Sequence, residues 1–391
     1  MRYTVPTNWQ PDLVPALAGL PVDELYGQLP RDFVGGGRAS ALIGEVSRRQ
    51  VRRHVTAARK AGLHFNYTLN ATTLGNREWS LRGQRQLAAL IDFLVDSGVD
   101  RVTVSLPYLL EYIKHRTRAL EVMVSTQTLV ASPERARRWE ALGADGITLS
   151  VLDVQRDFAA LRRIRAAVGL RLQLIANLLC LQGCPASGHH AAINAHASQR
   201  GGSRFAVDYC TLECTRQRLA HPDEIIRAGW IRPEDVHHYE QIGIDRLKLT
   251  TRGMTTEALV AILSAYAARR SPADLMELFP GPEKSLVFAN PRPWHMLRHY
   301  LHPHKVNLVR LARMRGLTAR RALSIDAAAL GEDFLAPFLE GRCDPADCDG
   351  CRYCHDVAAR AVRIGEQEQA VADHDRALEA IRSGALFRWL G

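Results

Sequence analysis

The feature that most constrains the fold is a regular alternation of short β-rich runs with amphipathic helical stretches between residues 64 and 270. The run "HFNYTLNAT" precedes the helical stretch "RQLAALIDFLVDSGV", and five further runs repeat the pattern: "DRVTVSLP", "LEVMVSTQT", "DGITLS", "RLQLIANLLC" and "DRLKLTTRG". Strands that alternate with helices in this way pair in parallel. Together with an earlier unit around "VGGGRAS", they predict an α/β fold, a TIM-like parallel barrel, with a doubly wound sheet as the alternative.

The cysteines form two compact groups, and this partition is the strongest functional signal in the chain. All eight cysteines belong to one group or the other. The first group consists of two C-x3-C pairs, Cys180 with Cys184 and Cys210 with Cys214. The second group lies within "CDPADCDGCRYC" and consists of Cys343, Cys348, Cys351 and Cys354. The first group begins where a predicted strand ends, which is where a TIM barrel carries its active site.

The chain divides into two predicted regions. Residues 1–271 are expected to form the barrel, with a cysteine-bearing insertion at 180–230. Beyond residue 272 prolines interrupt the alternation, as in "SPADLMELFPGPEK". Residues 272–391 are therefore predicted to form a helical, cysteine-rich C-terminal extension that holds the second cysteine group.

Composition and the first residues indicate the compartment. A hydrophobic content of 47% and a charged content of 24% are typical of soluble globular proteins. The stretch "MRYTVPTNWQPDLVPALAGL" lacks the features of a signal peptide, and the longest apolar run is too short to span a bilayer. We therefore expect a cytoplasmic protein with no membrane span, in which clustered cysteines bind metal more often than they form disulfides.

The chain is basic, with a net charge of +10. This charge is compatible with an anionic partner, either a carboxylate-rich small molecule or a nucleic acid. The excess arginine is scattered over helical stretches and forms no recognition motif. A nucleic-acid partner is therefore a possibility that the sequence does not favour.

Four thiolates bind either Zn²⁺ or an iron–sulfur cluster. The two C-x3-C pairs of the first group satisfy a structural zinc format, but their predicted place at a barrel mouth favours an iron–sulfur cluster, with zinc and free cysteines as alternatives. The C-x4-C-x2-C-x2-C spacing of the second group is closer to ferredoxin-type spacings, and zinc remains open there. No serine-hydrolase elbow, zinc-protease helix, phosphate-binding loop or dinucleotide fingerprint occurs in the sequence.

The order and spacing of several motifs resemble the collagenase-like peptidase family. These motifs are "NLLCLQGCP", "DYCTLEC" and "IRPEDVHHYEQIGIDRLKLTTRG" followed by "TTEALVAILSAYAARR", and the resemblance covers roughly residues 25 to 270. It implies a 4Fe–4S cluster on Cys180, Cys184, Cys210 and Cys214. Family members such as UbiU and UbiV assist oxygen-independent hydroxylation in ubiquinone synthesis, with prephenate implicated as the oxygen source, and others hydroxylate RNA bases.

The resemblance therefore implies an iron–sulfur oxidoreductase that hydroxylates or otherwise modifies a small biosynthetic substrate. A peptidase, a non-catalytic iron–sulfur partner within a biosynthetic complex and an RNA-directed hydroxylase are the alternatives. A protein partner or electron donor is also expected. The sequence departs from the family pattern in three respects. Residues 231–236 lack a cysteine that many relatives carry there, so Cys214 would take the place of that ligand. In addition, "LTTRG" replaces an acidic motif, and the second cysteine group lies outside the family core.

Two cationic residues near the end of the last predicted barrel strand are candidate substrate ligands. Lys248 and Arg252 could bind a carboxylate, provided that the strand continues far enough for Arg252 to share the face of Lys248. The alternative for Arg252 is a salt bridge to Asp235 or Glu234. Other polar candidates follow predicted strands or lie near the first cysteine group: Asn70, Gln127, Asn177, His189, His190, His196, His237, His238 and the "GGGR" segment at 35–38.

Overall fold

A computed structural model of the chain describes residues 1–203, 205–250, 252–289, 299–302, 304–314, 317 and 323–388. Its centre is a closed parallel barrel in which eight strands pair in chain order and the last pairs with the first. The strands are β1 (Arg2–Pro6), β2 (Val22–Gly27), β3 (His64–Leu69), β4 (Arg101–Val104), β5 (Glu121–Val124), β6 (Gly146–Thr148), β7 (Arg171–Ile175) and β8 (Arg246–Lys248). The predicted TIM-like α/β fold is thus confirmed.

Helices connect the barrel strands. In chain order they are α1 (Leu13–Ala16), α2 (Arg48–Lys60), α3 (Leu81–Asp96), α4 (Pro107–Arg116), α5 (Pro133–Ala141) and α6 (Phe158–Ala167). Between β7 and β8 lie α7 (Ser187–Ser198), α8 (Tyr209–Ala220), α9 (Asp223–Arg227) and α10 (Val236–Gln241), and α11 (Thr256–Ala268) follows β8. Among these helices, α2 to α6 and α11 occupy the predicted amphipathic stretches.

Side-chain caps fix where many of these helices begin. At α2 the Ser47 hydroxyl accepts a hydrogen bond from the Gln50 N–H, while the Gln50 side chain accepts one from the Ser47 N–H. This reciprocal pair satisfies two backbone donors that the first turn leaves free. Ser80, Ser132 and Thr255 cap α3, α5 and α11 in the simpler, one-sided way. These caps explain why the four helices begin directly after a Ser or a Thr.

The predicted first strand unit is misplaced. The segment "VGGGRAS" is a loop, and the strand of that unit is β2, which ends seven residues before Val34. A further strand, β1, precedes it. A four-residue helix stands between β1 and β2 in place of a long amphipathic one, so the alternation that marks the other units is missing here.

The two faces of the barrel strands differ in chemistry. Residues that point outward, such as Leu25, Phe65 and Val102, are apolar and fully buried against the helices. Most inward residues are polar and bond one another across the interior, whereas Met123 is an apolar exception. Thr103 donates to Asn66 at 2.8 Å, and Gln173 accepts from Thr148 at 3.0 Å while it donates to Thr4 at 2.8 Å. The interior is therefore a hydrogen-bonded polar core, unlike the aliphatic layers common in such barrels.

The extension beyond α11 packs against the insertion between β7 and β8. Its described elements are α12 (Leu286–Ala289), α13 (Leu308–Arg313), β9 (Leu323–Ile325), α14 (Ala327–Leu330), α15 (Ala336–Leu339), α16 (Cys348–Cys351), α17 (Tyr353–Ala361), β10 (Val362–Ile364) and α18 (Gln367–Arg382). β9 and β10 form a two-stranded antiparallel sheet. α17 packs against α9, and α18 packs against α8, where Arg216 and Asp375 form an ion pair at 2.9 Å. Within the described ranges, no helix combines the length and apolarity needed to cross a membrane.

An ionic network closes the amino-terminal end of the barrel. The buried Arg101 guanidinium bonds Asp23 and Glu24 at 3.1 Å and Glu121 at 2.6 Å. Burial alone would raise the pKa of Asp23, but the charges of Arg246 and Arg101 outweigh it and lower that pKa below its usual value. The network thus links β2, β4, β5 and β8 opposite the mouth.

Replacing Arg101 with Gln should destabilise the fold by about 3 to 5 kcal/mol, because it leaves buried carboxylates without their cation. Arg116, which binds Asp92 on the exposed surface, supplies the control. Its replacement with Gln should cost less than about 1 kcal/mol. Urea unfolding of both variants measures the two values, and equal losses would contradict the structural weight given to Arg101.

Candidate active site at the barrel mouth

Arg252 points into the mouth of the barrel. β8 ends at Lys248, yet the chain keeps the side chain of Arg252 inward, where its Nη1 donates to Gln28 Oε1 at 2.6 Å and Thr68 Oγ1 at 2.7 Å. Only 8% of the residue is exposed. The alternative interpretation, a salt bridge to Asp235 or Glu234, is wrong. Asp235 pairs with Arg232 instead, and Glu234 accepts hydrogen bonds from Ser271.

Lys248 lies deeper in the barrel than Arg252. Its Nζ is 3.9 Å from the centre of the Tyr26 ring, a cation–π contact. Burial lowers the pKa of Lys248 to about 8, with the nearby charge of Arg252 acting in the same direction and that of Glu24 opposing it. The two candidate cations therefore occupy successive levels of one polar interior, with Lys248 below and Arg252 at the mouth.

A second arginine, which the sequence reasoning did not single out as a site residue, reaches the same place. Arg38 follows the three glycines of the "GGGR" segment and is half-buried. Burial and the like charge of Arg252 lower the pKa of Arg38 to about 10. Two desolvated guanidinium groups near each other make the mouth strongly attractive to an anion.

The glycines are needed for the close approach of this loop to the barrel. A Cβ on Gly36 would stand 2.0 Å from Gln28 Oε1, and one on Gly37 would stand 2.2 Å from Gln127 Nε2. The Gly37 N–H donates to Asn70 Oδ1 at 2.9 Å. "GGGR" is therefore neither an ordinary turn nor a free anion-binding loop; it covers the mouth and brings Arg38 in.

The polar residues predicted at the strand ends have different roles. Asn70 bonds Ser125 and the glycine loop, and Asn177 is fully engaged, donating to the carbonyls of Thr250 and Leu278 at 2.8 Å. By contrast, Gln28 Nε2 and Gln127 Oε1 are buried and find no hydrogen-bond partner among the described residues. A buried donor and acceptor without partners are costly unless a ligand or water satisfies them.

Four thiols converge beside the mouth. Cys210 and Cys214 lie four residues apart in α8, so they share one face of that helix. Cys180 and Cys184 flank a turn in which Gly183 adopts a φ of 59°. The sequence pattern predicts that Cys180 ends a strand. The strand β7 ends earlier, at Ile175, and Cys180 follows it by five residues.

The charges of these thiols act on one another. Burial raises the pKa of Cys180 and of Cys210 to about 11 each; Cys184 and Cys214 raise both further, and Asp208 adds to the shift at Cys210. The charge of Arg218 opposes the rise in the pKa of Cys180 and of Cys214, and its Nη2 lies 3.6 Å from Cys214 Sγ. A bound cation would relieve the same repulsion, and thiolates are the ligands that iron–sulfur clusters and zinc prefer. The donor chemistry of the four residues thus fits either group.

No group of three or more His, Cys, Asp or Glu side chains has the arrangement of a formed metal site in the portions of the chain that the structure describes. Of the histidines, His189 comes within 3.7 Å of Cys210, and His190 pairs with Asp208 at 3.5 Å. His196 accepts from the Ser203 N–H. His237 and His238 belong to α10, where the His238 ring faces Phe158.

The mouth and the thiols share a common scaffold. Helix α7 binds the glycine loop, because Ser198 Oγ accepts from the Gly36 N–H and Asn194 Oδ1 accepts from the Ala39 N–H, both at 2.9 Å. Asp208, the N-cap of α8, raises the pKa of Arg38 and that of Cys210 through its charge. The cationic mouth and the thiol group are thus parts of one site.

The second cysteine group lies elsewhere, between α9 and the extension. Its four thiols line one small cavity. The loop between β6 and α6 connects the two groups. At one end Val151 and Leu152 pack with Cys180 and Cys184. At the other end the positive charge of Arg156 lowers the pKa of Cys354 against the rise that burial causes. We call residues 151–156 the bridging segment.

The fold and this site define a class: a TIM-barrel protein whose cationic mouth adjoins four thiols. The sequence profile of peptidase family U32 matches residues 33–202. An uncharacterized protease of Methanocaldococcus jannaschii is 30% identical over 261 residues, which cover 67% of this chain and 76% of the relative. A U32 peptidase of known structure has 23% identity and a TM-score of 0.48, covering 64% of this chain and 92% of its own. The chain belongs to peptidase family U32, which confirms the family resemblance found in the sequence.

Replacing Gly36 with Ala should displace the Gln28 amide from Arg252 and cost about 1 to 3 kcal/mol of stability, as overpacking does. Gly44 supplies a matched control, because a Cβ there meets nothing within 4 Å. The Gly44→Ala variant should unfold at the wild-type denaturant concentration. Equal behaviour of the two variants in urea would show that the glycine loop does not press on the mouth.

Lys248 should make stability depend on pH. Its pKa is about 8 in the folded protein and 10.5 when unperturbed, so between these values the unfolded chain binds more protons. The free energy of unfolding should therefore rise with pH across this interval. The difference in unfolding free energy between wild type and Lys248→Met should increase from about pH 7 to about pH 9. A constant difference would contradict a desolvated ammonium.

Proposed function

We propose that this protein is an iron–sulfur oxidoreductase that hydroxylates, without molecular oxygen, a small biosynthetic substrate at the mouth of its barrel. A carboxylate-bearing molecule binds between Arg252 and Arg38. Cys180, Cys184, Cys210 and Cys214 would hold a 4Fe–4S cluster, which would supply one-electron chemistry.

The observation that carries this proposal is the cationic mouth. Arg252 is buried and, within the described part of the chain, forms no ion pair with a carboxylate. Burying a charge is unfavourable unless a counter-charge offsets it. Arg38 adds a second positive charge at the same place. A carboxylate of the ligand would offset the buried charge of Arg252, and the nearby charge of Arg38 would add to the attraction, which fits a carboxylate such as prephenate.

The unsatisfied amide atoms favour a polar ligand over an apolar one. Gln28 Nε2 can donate to a ligand oxygen, and Gln127 Oε1 can accept from a ligand hydroxyl. Both lie beneath the glycine loop, which the close contacts of Gly36 and Gly37 hold against the barrel. The loop would exclude water from the bound carboxylate and so strengthen the arginine contacts.

The redox balance of the proposed reaction needs no oxygen molecule. A hydroxylated carboxylate R′–OH transfers its oxygen to an acceptor R–H, giving R–OH and R′–H. The C–H bond of the acceptor and the C–O bond of the donor break, while a C–O and a C–H bond form. The acceptor loses two electrons and the donor gains them, so electrons cross the site without an external oxidant.

In this scheme the protein positions the substrate carboxylate and places positive charge around the site. Arg252, fixed by Gln28 and Thr68, orients one carboxylate. Lys248 keeps positive charge below the mouth at neutral pH. Arg218 lies against the Cys214 sulfur and would stabilise negative charge on the thiolates.

Two measurements on protein purified without oxygen test the proposal. Iron and acid-labile sulfide should be present in wild type and fall in Cys184→Ser. Prephenate should bind, and Arg252→Gln should weaken it about 10- to 100-fold, the loss expected for a charge-assisted hydrogen bond. Arg116→Gln, a change at an exposed arginine outside the barrel interior, is the control and should bind as wild type does.

An absence of iron from wild type would overturn the redox proposal. Cleavage of peptide substrates that persists in Cys184→Ser would indicate a peptidase instead, the activity after which the matching family is named. Tight binding that is unchanged in Arg252→Gln would exclude the mouth as the anion site.

A further inference from the structure

The four thiols of the C-terminal extension converge although their chain positions differ in structure. Cys343 lies in the loop after α15, Cys348 and Cys351 are the two ends of α16, and Cys354 lies in the first turn of α17. Arg352 reverses the chain between the two helices with a φ of 51°. All four side chains line a cavity of about 30 Å³, together with Arg227 and Phe338.

We infer that this cavity is a second metal centre, in which four thiolates hold Zn²⁺ or an iron–sulfur cluster while Arg156 and Arg227 offset the excess negative charge. The centre fastens the C-terminal extension to α9 and to the bridging segment. This inference does not rest on the proposed function of the barrel mouth.

The four thiols face one cavity from the edge of the extension. Cys343, Cys348 and Cys354 are half-buried, and Cys351 is exposed. Thiolates are the ligands that zinc and iron–sulfur clusters prefer, and four of them are the usual complement of either centre. The shared lining of the cavity therefore favours a bound cation.

Arg156 is a buried cation whose burial needs an explanation. It is 8% exposed and stacks on Trp230 and Phe334, with its guanidinium carbon 4.7 and 4.8 Å from their ring centres. Its Nη atoms donate to the carbonyls of Ile226 and Trp230. Its Nε has no hydrogen-bond partner, and none of the described carboxylates forms an ion pair with it. A buried cation of this kind implies a nearby anion.

Arg227 lines the cavity itself. It forms ion pairs with Asp223 at 2.8 Å and Glu224 at 3.4 Å, but its buried Nε finds no partner in the part of the molecule described. Four thiolates around one divalent ion leave two negative charges in excess, and a 4Fe–4S core with two positive charges leaves the same excess. For either occupant Arg156 offsets one of these charges, and Arg227 offsets part of the other, since Asp223 and Glu224 share its charge.

The centre would join three segments that are distant in sequence. Arg156 belongs to the bridging segment, Arg227 to α9, and the thiols to residues 343–354. α9 packs directly against α17, which carries Cys354. The metal itself would close only the short 343–354 loop, and the charges of Arg156 and Arg227 would hold that loop against the bridging segment and α9.

The test measures zinc and iron per chain, and the rate of metal release to a chelator, on the full chain purified without oxygen. Cys348→Ser should lose the metal of this centre while Cys184→Ser keeps it. Arg227→Gln should release that metal about 10-fold faster, the effect expected of a residue that supports metal ligands. Asp223→Asn is the matched control, because it breaks the same ion pair without removing the cation, and its release rate should not increase.

The outcomes are distinct. Zinc lost from Cys348→Ser identifies a zinc centre, and iron with sulfide identifies a cluster; equal metal contents in Cys348→Ser and wild type would overturn the inference. Equal release rates for Arg227→Gln and Asp223→Asn would overturn the role of Arg227. Should Cys348→Ser fail to fold, alkylation of wild type provides the decision: the four thiols should be protected before chelation and modified after it, and modification from the start would refute the centre.

Discussion

Hydrogen bonding among inward-facing polar side chains is the constraint on which the rest of this molecule depends. A parallel barrel buries both faces of its strands, so every inward polar group must find a partner inside the barrel. Thr4, Gln173 and Thr148 do so across three strands. At the mouth the pattern is left incomplete, with Gln28 and Gln127 each keeping an unused atom among the described contacts. A ligand is therefore expected at the mouth, where these inward polar atoms have no hydrogen-bond partner among the described residues.

The insertion between β7 and β8 converts this mouth into a site. Helix α7 holds the glycine loop, and α8 carries two of the four thiols on one face. The charge of Asp208 reaches both Arg38 and Cys210. A single inserted segment therefore positions the cationic and the thiol parts together, which is the usual way in which a barrel gains a specific chemistry through its loops.

Much of this could be predicted from the sequence, and the failures have physical causes. β3 to β8 stand out because long amphipathic helices separate them, whereas β1 and β2 lack that context. Arg252 could be found because it follows a strand, but Arg38 lies in a loop, and only tertiary packing brings the two together. The glycine run was a weak signal, since the need for "GGGR" arises from Gln28 and Gln127, which are distant in sequence. The arginines near the second thiol group were likewise invisible, because nothing local relates Arg156 to Cys354.

The bridging segment gives the two thiol groups a common neighbour. Val151 and Leu152 pack with Cys180 and Cys184 at one end, and Arg156 acts on Cys354 at the other. A change of charge or occupancy at either group that shifts this segment alters the environment of the other. Such coupling is reciprocal in free energy, so whatever binding at the extension does to the barrel, binding at the barrel does equally to the extension. Binding at the extension would then change the binding free energy at the barrel mouth, and neither thiol group would bind independently of the other.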